Sequence, residues 1–214
     1  MYKLIIVGAG GLGQEIYSQV IGDSAHGVVW KVDAFIDDAY EGQDKEVING
    51  IKLTGGILNH QPSDGNVYVL GLSNPCLKKK VVNILEGRGA IFVPICTRMT
   101  AGQNVDLSDA FYAFDVKISN NVKVGKSCYV DSENIISHDV TLGDFCHLGP
   151  RNFIAGNVSV GDKVIIQGGA CIAKGLTIGE GAEIGLGAVV LRNVPPHSLV
   201  IGNPARVIRD LREE

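Results

Sequence analysis

The sequence has little that would tie it to a membrane, a nucleic acid or an oxidising compartment. No apolar run approaches the ~20 residues needed to span a bilayer. The start, Met1-Tyr2-Lys3-Leu4-Ile5-Ile6-Val7, passes straight into a strand pattern with no signal-peptide cleavage site. Basic residues do not run together beyond Lys78-Lys79-Lys80 and the net charge is −4, so the basic stripe expected of a nucleic-acid binder is missing. Cys76, Cys96, Cys128, Cys146 and Cys171 form no CxxC motif and leave one thiol over, which fits a reduced cytoplasm. Aromatics are only 6%, yet 45% hydrophobic and 20% charged residues make a globular chain and exclude disorder. A length of 214 residues allows one large domain or two small ones.

Two periods divide the chain. The first part alternates strand and helix patterns. Tyr2–Val7 is a continuous apolar run ending at Gly8, as expected of a buried parallel strand. A helix is predicted over 14–21, strands over 32–36, 67–71 and 90–93, and a helix over 74–86 with Asn74 as cap and Pro75 in its first turn. This order implies a small parallel sheet, a Rossmann-like α/β domain over residues 1–98. Gly8-Ala9-Gly10-Gly11-Leu12-Gly13 lies between its first strand and first helix, where a helix N-terminus can receive an anion. About 95 residues are too few for the two halves of a full dinucleotide-binding domain.

Over residues 99–214 a period of six takes over. Positions 118, 124, 130, 136, 142, 148, 154, 160, 166, 172, 178, 184 and 190 are all Ile, Leu or Val, and a small or modest apolar residue lies two before most of them. Glycine often follows, which accounts for much of its count of 28 against a usual share of roughly 7%. Six residues make a short strand and a turn, and three such sides close a coil of 18 residues. The prediction is a parallel β-solenoid of a little over four coils. His138 and Gly156 are 18 residues apart and so share a column, about ~4.8 Å from each other.

The [Ile/Leu/Val]-Gly-x-x-small-x repeat is that of the left-handed β-helix, hexapeptide-repeat acyltransferases. Together with Pro195-Pro196-His197, Ile201-Gly202-Asn203-Pro204-Ala205-Arg206 and the N-terminal glycine loop, the chain resembles the bacterial sugar acetyltransferases of the sialic-acid O-acetyltransferase type. That group includes N-acetyltransferases of nucleotide-linked 4-amino sugars. The resemblance implies acetyl-CoA as co-substrate, no metal, and a homotrimer with its active sites between subunits.

It also implies roles for particular residues. Ser137-His138-Asp139 matches the family's first histidine motif, with His138 as general base and Asp139 fixing its tautomer. An imidazole, with an ordinary pKa near ~6.5, can accept a proton at neutral pH. Gly156 would offer a backbone N–H to the tetrahedral oxyanion. Phe145-Cys146-His147 matches the second motif, with His147 on the acetyl-donor side; its structural alternative is a satisfied histidine at a subunit interface. Gly168 and Leu186 fall where backbone would meet pantetheine. Lys174, Arg192 and Arg206 are the basic candidates for coenzyme A phosphates, or else solvated corner charges. Gly8, Gly10, Gly11 and Gly13 would hold the sugar nucleotide, with Asp37 and Asp38 near the base or simply closing a turn. His26, His60 and His197 carry no motif.

The sequence departs from many relatives at Leu12, Ser137, Asp131 and Phe92-Val93-Pro94-Ile95, all on the acceptor side. The expected function is N-acetylation of a nucleotide-linked amino sugar, with sialic acid O-acetylation as alternative. A nucleotide-sensing or scaffold protein with a degenerate site is the non-enzymatic alternative. A zinc hydratase on the same fold needs three imidazoles at one ion, and the coil offers only His138 and His147.

Overall fold

The segment Tyr2–Val7, apolar but for Lys3, forms strand β1, whose last four residues are buried, and the chain then turns at Gly8 into helix α1, Gly11–Val20. Strand β2 follows at Trp30–Ile36, then a hairpin of β3, Glu46–Ile48, and β4, Ile51–Lys52. Strand β5, Asn66–Leu70, and helix α2, Pro75–Glu86, complete the elements. The parallel sheet has the order β2-β1-β5; α1 makes the crossover from β1 to β2, and the segment that carries β3 and β4 returns the chain to β5. The computed structural model describes residues 1–40 and 45–213. They fall into two compact units, Met1–Thr97 and Arg98–Glu214.

Helix α1 starts three residues before the predicted position, because Gly11 to Gly13 are already helical and Gln14 N–H donates to the Gly10 carbonyl at 3.1 Å. Asn74 caps α2, accepting from the Leu77 N–H at 2.9 Å. The strand predicted over 90–93 is reduced to a single bridge between Phe92 and Tyr68. Pro94 has no N–H with which to extend the ladder. The β3–β4 hairpin was not predicted. It turns at Asn49-Gly50, both at positive φ (48° and 79°), the conformation that a two-residue hairpin loop favours.

His60 and Tyr68 meet in this unit, with His60 Nε2 2.8 Å from the Tyr68 hydroxyl. Burial, and then the nearby Arg88 guanidinium, hold the His60 pKa below its ordinary value. A histidine whose folded pKa is depressed takes up its proton more readily in the unfolded chain. Stability is therefore full above the unfolded value near ~6.5 and is lost as pH falls through it. The expected result is a lower melting temperature at pH 5.5 than at pH 7.5, with the difference reduced in His60→Gln. An unchanged difference in that variant would assign the pH dependence elsewhere.

The second unit is a left-handed parallel β-helix. One sheet stacks Phe111, Tyr129, His147, Ile165, Glu183 and Leu199 in register, and a second stacks Thr100, Lys117, Ile135, Phe153, Cys171 and Val189. The third contains Lys123, Thr141, Ser159 and Thr177. All thirteen periodic aliphatics are buried, none more than 5% exposed. Burying each contributes roughly 1.5–3 kcal/mol before chain entropy is counted. The solenoid is longer than the little over four coils predicted. It takes in rungs that break the aliphatic rule, such as the one where Tyr112 fills the interior slot and donates its hydroxyl to the Leu107 carbonyl at 2.7 Å.

Two of the slots usually given to small apolar residues hold Asn134 and Asn152, both buried. Asn134 Nδ2 donates to the Asp131 and Gly149 carbonyls, Asn152 Nδ2 donates to Gly149, and the Oδ1 atoms accept from the Asn152 and Ala170 N–H groups. The pair stitches three successive coils at one corner, so each buried amide is satisfied. At the far end, Ser198–Ile201 adds the last parallel strand and pairs antiparallel with Arg206–Asp210. No helix among the described residues is long and apolar enough to cross a membrane.

Candidate active site

His138 and Asp139 form the corner after the strand Ile135–Ile136, with Asp139 in the left-handed region at φ 58°. Asp139 belongs to a column of corner residues, Asn121, Asp139, Asn157 and Gly175, all at positive φ, where Asn, Asp and Gly are the least strained choices. The corners are tied along the column, because Asn157 N–H donates to the His138 carbonyl and Gly175 N–H to the Gly156 carbonyl, each at 3.0 Å. The stack fixes the backbone from which His138 projects.

The imidazole is oriented from both sides. Its Nδ1 lies 2.7 Å from Asp139 Oδ2. The Asp139 carboxyl is held below the ordinary carboxylate range, first by that hydrogen bond and then by one from Asn121. A carboxylate only accepts, so Nδ1 carries the hydrogen and the neutral ring presents a bare Nε2. Gly156, one coil on, leaves room for the ring: a Cβ there would stand 2.6 Å from His138 Cε1 and 2.7 Å from Nε2. His138 and Asp139 remain about half exposed, at 52% and 45%, so the bare nitrogen is open to an incoming molecule. Adjacency in sequence could not establish the His138–Asp139 contact; the left-handed corner creates it.

His147 stands elsewhere. It belongs to the strand His147–Leu148, in a different sheet from the strand leading to His138. Its ring stacks on Tyr129 at 4.9 Å, and Tyr129 stacks on Phe111 at 5.4 Å. The two histidines are therefore not brought together within one chain. Lys174 and Arg192 continue the column of His138 and Gly156 at further steps of 18, both exposed, and the Lys174 charge also favours ionised Asp139. Arg192 and Arg206 line one cavity of about 200 Å³ with Leu191, Asn193 and Val207. Gly168 packs against Pro150 at the corner column that leads to Leu186, which is 80% exposed. Among the described residues no group of three or more His, Cys, Asp or Glu side chains is placed to hold a metal.

In the first unit a cavity of about 230 Å³ opens over the glycine loop, lined by Gly8, Gly10, Gly11, Leu12 and Asp37 on one side and by Gly71 to Asn74 on the other. Both helices begin at this cavity: α1 starts at Gly10-Gly11 with no side-chain cap, and α2 at Asn74-Pro75. Its walls therefore carry the positive ends of two helix dipoles. Gly10 and Gly11 face open space, whereas Gly8, at φ 108°, and Gly13 are needed for packing. A Cβ on Gly13 would collide with the Gly8 carbonyl, so Gly13 does not line the cavity. Asp37 is engaged by the loop itself, accepting from the Ala9 N–H at 2.8 Å and the Ala39 N–H at 2.9 Å. Asp38 accepts from the Leu58 N–H and is not part of the cavity wall. The Asn74 cap is visible in the sequence, whereas its place opposite the glycine loop follows from the fold.

Comparison with known proteins bears on both units. Residues 3–85 match the family model of the PglD N-terminal domain. Over nearly the whole length the fold is that of WeeI from Acinetobacter baumannii AYE, at 27% identity, 97% of this chain, 100% of that one and a TM-score of 0.83. It is also that of GDP-perosamine N-acetyltransferase from Caulobacter crescentus, a variant of which was solved with CoA and GDP-perosamine (24% identity, 98% of each chain, TM-score 0.88). The acetyltransferase domain of PglB from Neisseria gonorrhoeae FA1090 is similar at 21% identity, 97% of this chain, 100% of that one and a TM-score of 0.87. A stretch of 31 residues is 52% identical to acetyltransferase SAR2635 of Staphylococcus aureus, strain MRSA252, and spans 14% of this chain and 16% of that relative's length.

Proposed function

From a chain that joins a PglD-type N-terminal domain to the β-helix of the hexapeptide-repeat acetyltransferases, we infer an acetyl-CoA-dependent transferase that N-acetylates a nucleotide-linked amino sugar. The observation that carries this is the His138 ring, held by Asp139 at 2.7 Å and seated over Gly156 with Nε2 free. The sugar amine attacks the thioester carbonyl carbon while Nε2 takes the nitrogen's proton. The tetrahedral oxyanion forms near Gly156, whose N–H is its donor. The C–S bond then breaks, and the thiolate leaves with the proton that His138 returns. Asp139 stays ionised throughout and stabilises the imidazolium formed midway.

The two-helix cavity at Gly8, Gly10 and Gly11 suits the phosphates of the nucleotide handle, because backbone N–H groups and dipole ends face it. Gly13 supports that loop from behind, and Asp37 keeps its shape while standing beside the ribose or base. Asp38, turned toward Leu58, is given no contact. Arg192 and Arg206, with Lys174 nearer His138, form the basic side for coenzyme A. Its pantetheine would pass Gly168 and Leu186. His147 lies on another sheet face, so it reaches a catalytic corner only from a neighbouring copy. Three copies with sites between prisms satisfy that requirement, and the apolar outward row of Ile135, Phe153 and Val189 supplies a face to bury.

The test is thiol release from acetyl-CoA against GDP-, UDP- and dTDP-linked amino sugars and against free and CMP-linked sialic acid. Release with an amino sugar is expected, and its nucleotide identifies what the first unit binds. Release with sialic acid alone would move the transfer to a hydroxyl. Silence across the panel would overturn the assignment.

A further inference from the structure

The hydrogen bonds at the catalytic corner do not stop at Asp139. Asn121 Nδ2 donates to Asp139 Oδ1 at 3.0 Å, and Asn104 Nδ2 donates to Asn121 Oδ1 at 3.1 Å. With Asp139 Oδ2 at 2.7 Å from His138 Nδ1, four side chains from three coils form one line. Its direction is chemically fixed. A carboxylate cannot donate, so Asn121 must turn its NH₂ toward Asp139 and its oxygen toward Asn104, which must answer with its own NH₂. Asn104, Asn121 and Asp139 all sit at positive φ, 56°, 58° and 58°, so the backbone that aims each side chain is held in the same strained corner.

We propose that Asn121 is a positioning residue for His138. By occupying Asp139 Oδ1 it leaves Oδ2 to the imidazole and fixes the carboxylate plane, and Asn104 keeps the Asn121 amide from turning over. The role rests on the transferase reading for its effect on rate, but its effect on the imidazole exists whatever the reaction. Without Asn121 the carboxylate rotates, the bond to Nδ1 loosens, and the ring spends time with the hydrogen on Nε2, where it cannot act as base. Asn121 is also a source of the low Asp139 pKa, next after His138 itself.

The test variant is Asn121→Gly, which keeps the left-handed corner and removes the amide. Nitrogen NMR of the histidine rings, with His138 assigned from a His138→Gln spectrum, reads the tautomer directly at a pH where the ring is neutral. Wild type is expected in the Nδ1–H form, and Asn121→Gly is expected to gain Nε2–H signal. In the same variant kcat should fall about five- to tenfold, as for one lost hydrogen bond of ordinary net strength, while KM for acetyl-CoA stays within about twofold. Asn104→Gly, at the outer end of the line, should shift the tautomer in the same direction by less, and it carries the test if Asn121→Gly does not fold. An unchanged tautomer, or a changed tautomer with full kcat, overturns the proposal. A tautomer shift in a protein that transfers no acetyl group to any acceptor overturns the functional reading and leaves the positioning role standing.

Discussion

His138→Ala should reduce turnover by roughly 10²–10⁴, the range expected when a general base is lost, with the melting temperature close to wild type. The side chain is half exposed and its hydrogen bond is to Asp139, another half-exposed group, so little folding energy depends on it. The corner backbone survives, because its bonds run through the His138 carbonyl and the Asp139 N–H rather than the imidazole. The measurement is kcat with acetyl-CoA and the best acceptor from the panel, beside a thermal melt. A variant that keeps near-full activity would remove His138 from the mechanism and with it the main argument for catalysis at this corner.

The solenoid was legible because its physics repeats. An aliphatic residue every sixth position has one explanation in a coil interior, and each of the thirteen is buried where the period puts it. The rungs at either end were less visible, since a closed interior also accepts Tyr112 when its hydroxyl finds the Leu107 carbonyl. Asn134 and Asn152 are hidden in the sequence for a related reason. They interrupt the small-apolar pattern and look like exceptions, yet the next coil supplies backbone partners that no sequence window contains. In the first unit the long elements follow from pattern, and Asn49-Gly50 is the turn signal of a hairpin whose strands are too short to show a period.

The site was legible in part. Counting by 18 placed Gly156 over His138, and the structure puts a missing Cβ at the ring itself. Chain neighbours such as Asp139 need a corner conformation before they meet a side chain, and position 139 carries no glycine to announce one. Asn121 is 18 residues before Asp139, so the same arithmetic reaches it, but only the side-chain geometry shows two amides joined end to end. The glycine loop was found by its motif, whereas its opposite wall at Gly71 to Asn74 required knowing that β5 lies beside β1. Asp37 stands at the strand end as expected, although both of its oxygens are already taken by backbone N–H groups.

Gly156→Ala is the sharper test of how the corner works, since it separates two roles for one residue. Alanine retains the backbone N–H, so a position needed only as an oxyanion donor would tolerate the change. The added methyl carbon, however, falls 2.6 Å from His138 Cε1 and 2.7 Å from Nε2, closer than real Cβ contacts come. The backbone of Gly156 is tied to Gly175 in the next coil, so the imidazole is the part that moves. Swinging it outward breaks the 2.7 Å bond to Asp139 and carries Nε2 away from Gly156. A displacement of about 1 Å at a reacting group costs on the order of 10²-fold in rate, and kcat should fall by about that much. The fold should hold, because the clash is relieved into solvent by a half-exposed ring. Wild-type activity in Gly156→Ala would mean that the ring does not need to lie over Gly156 during the reaction. A loss matching His138→Ala, with His138→Ala/Gly156→Ala no worse than either, would show that the two substitutions disable the same group.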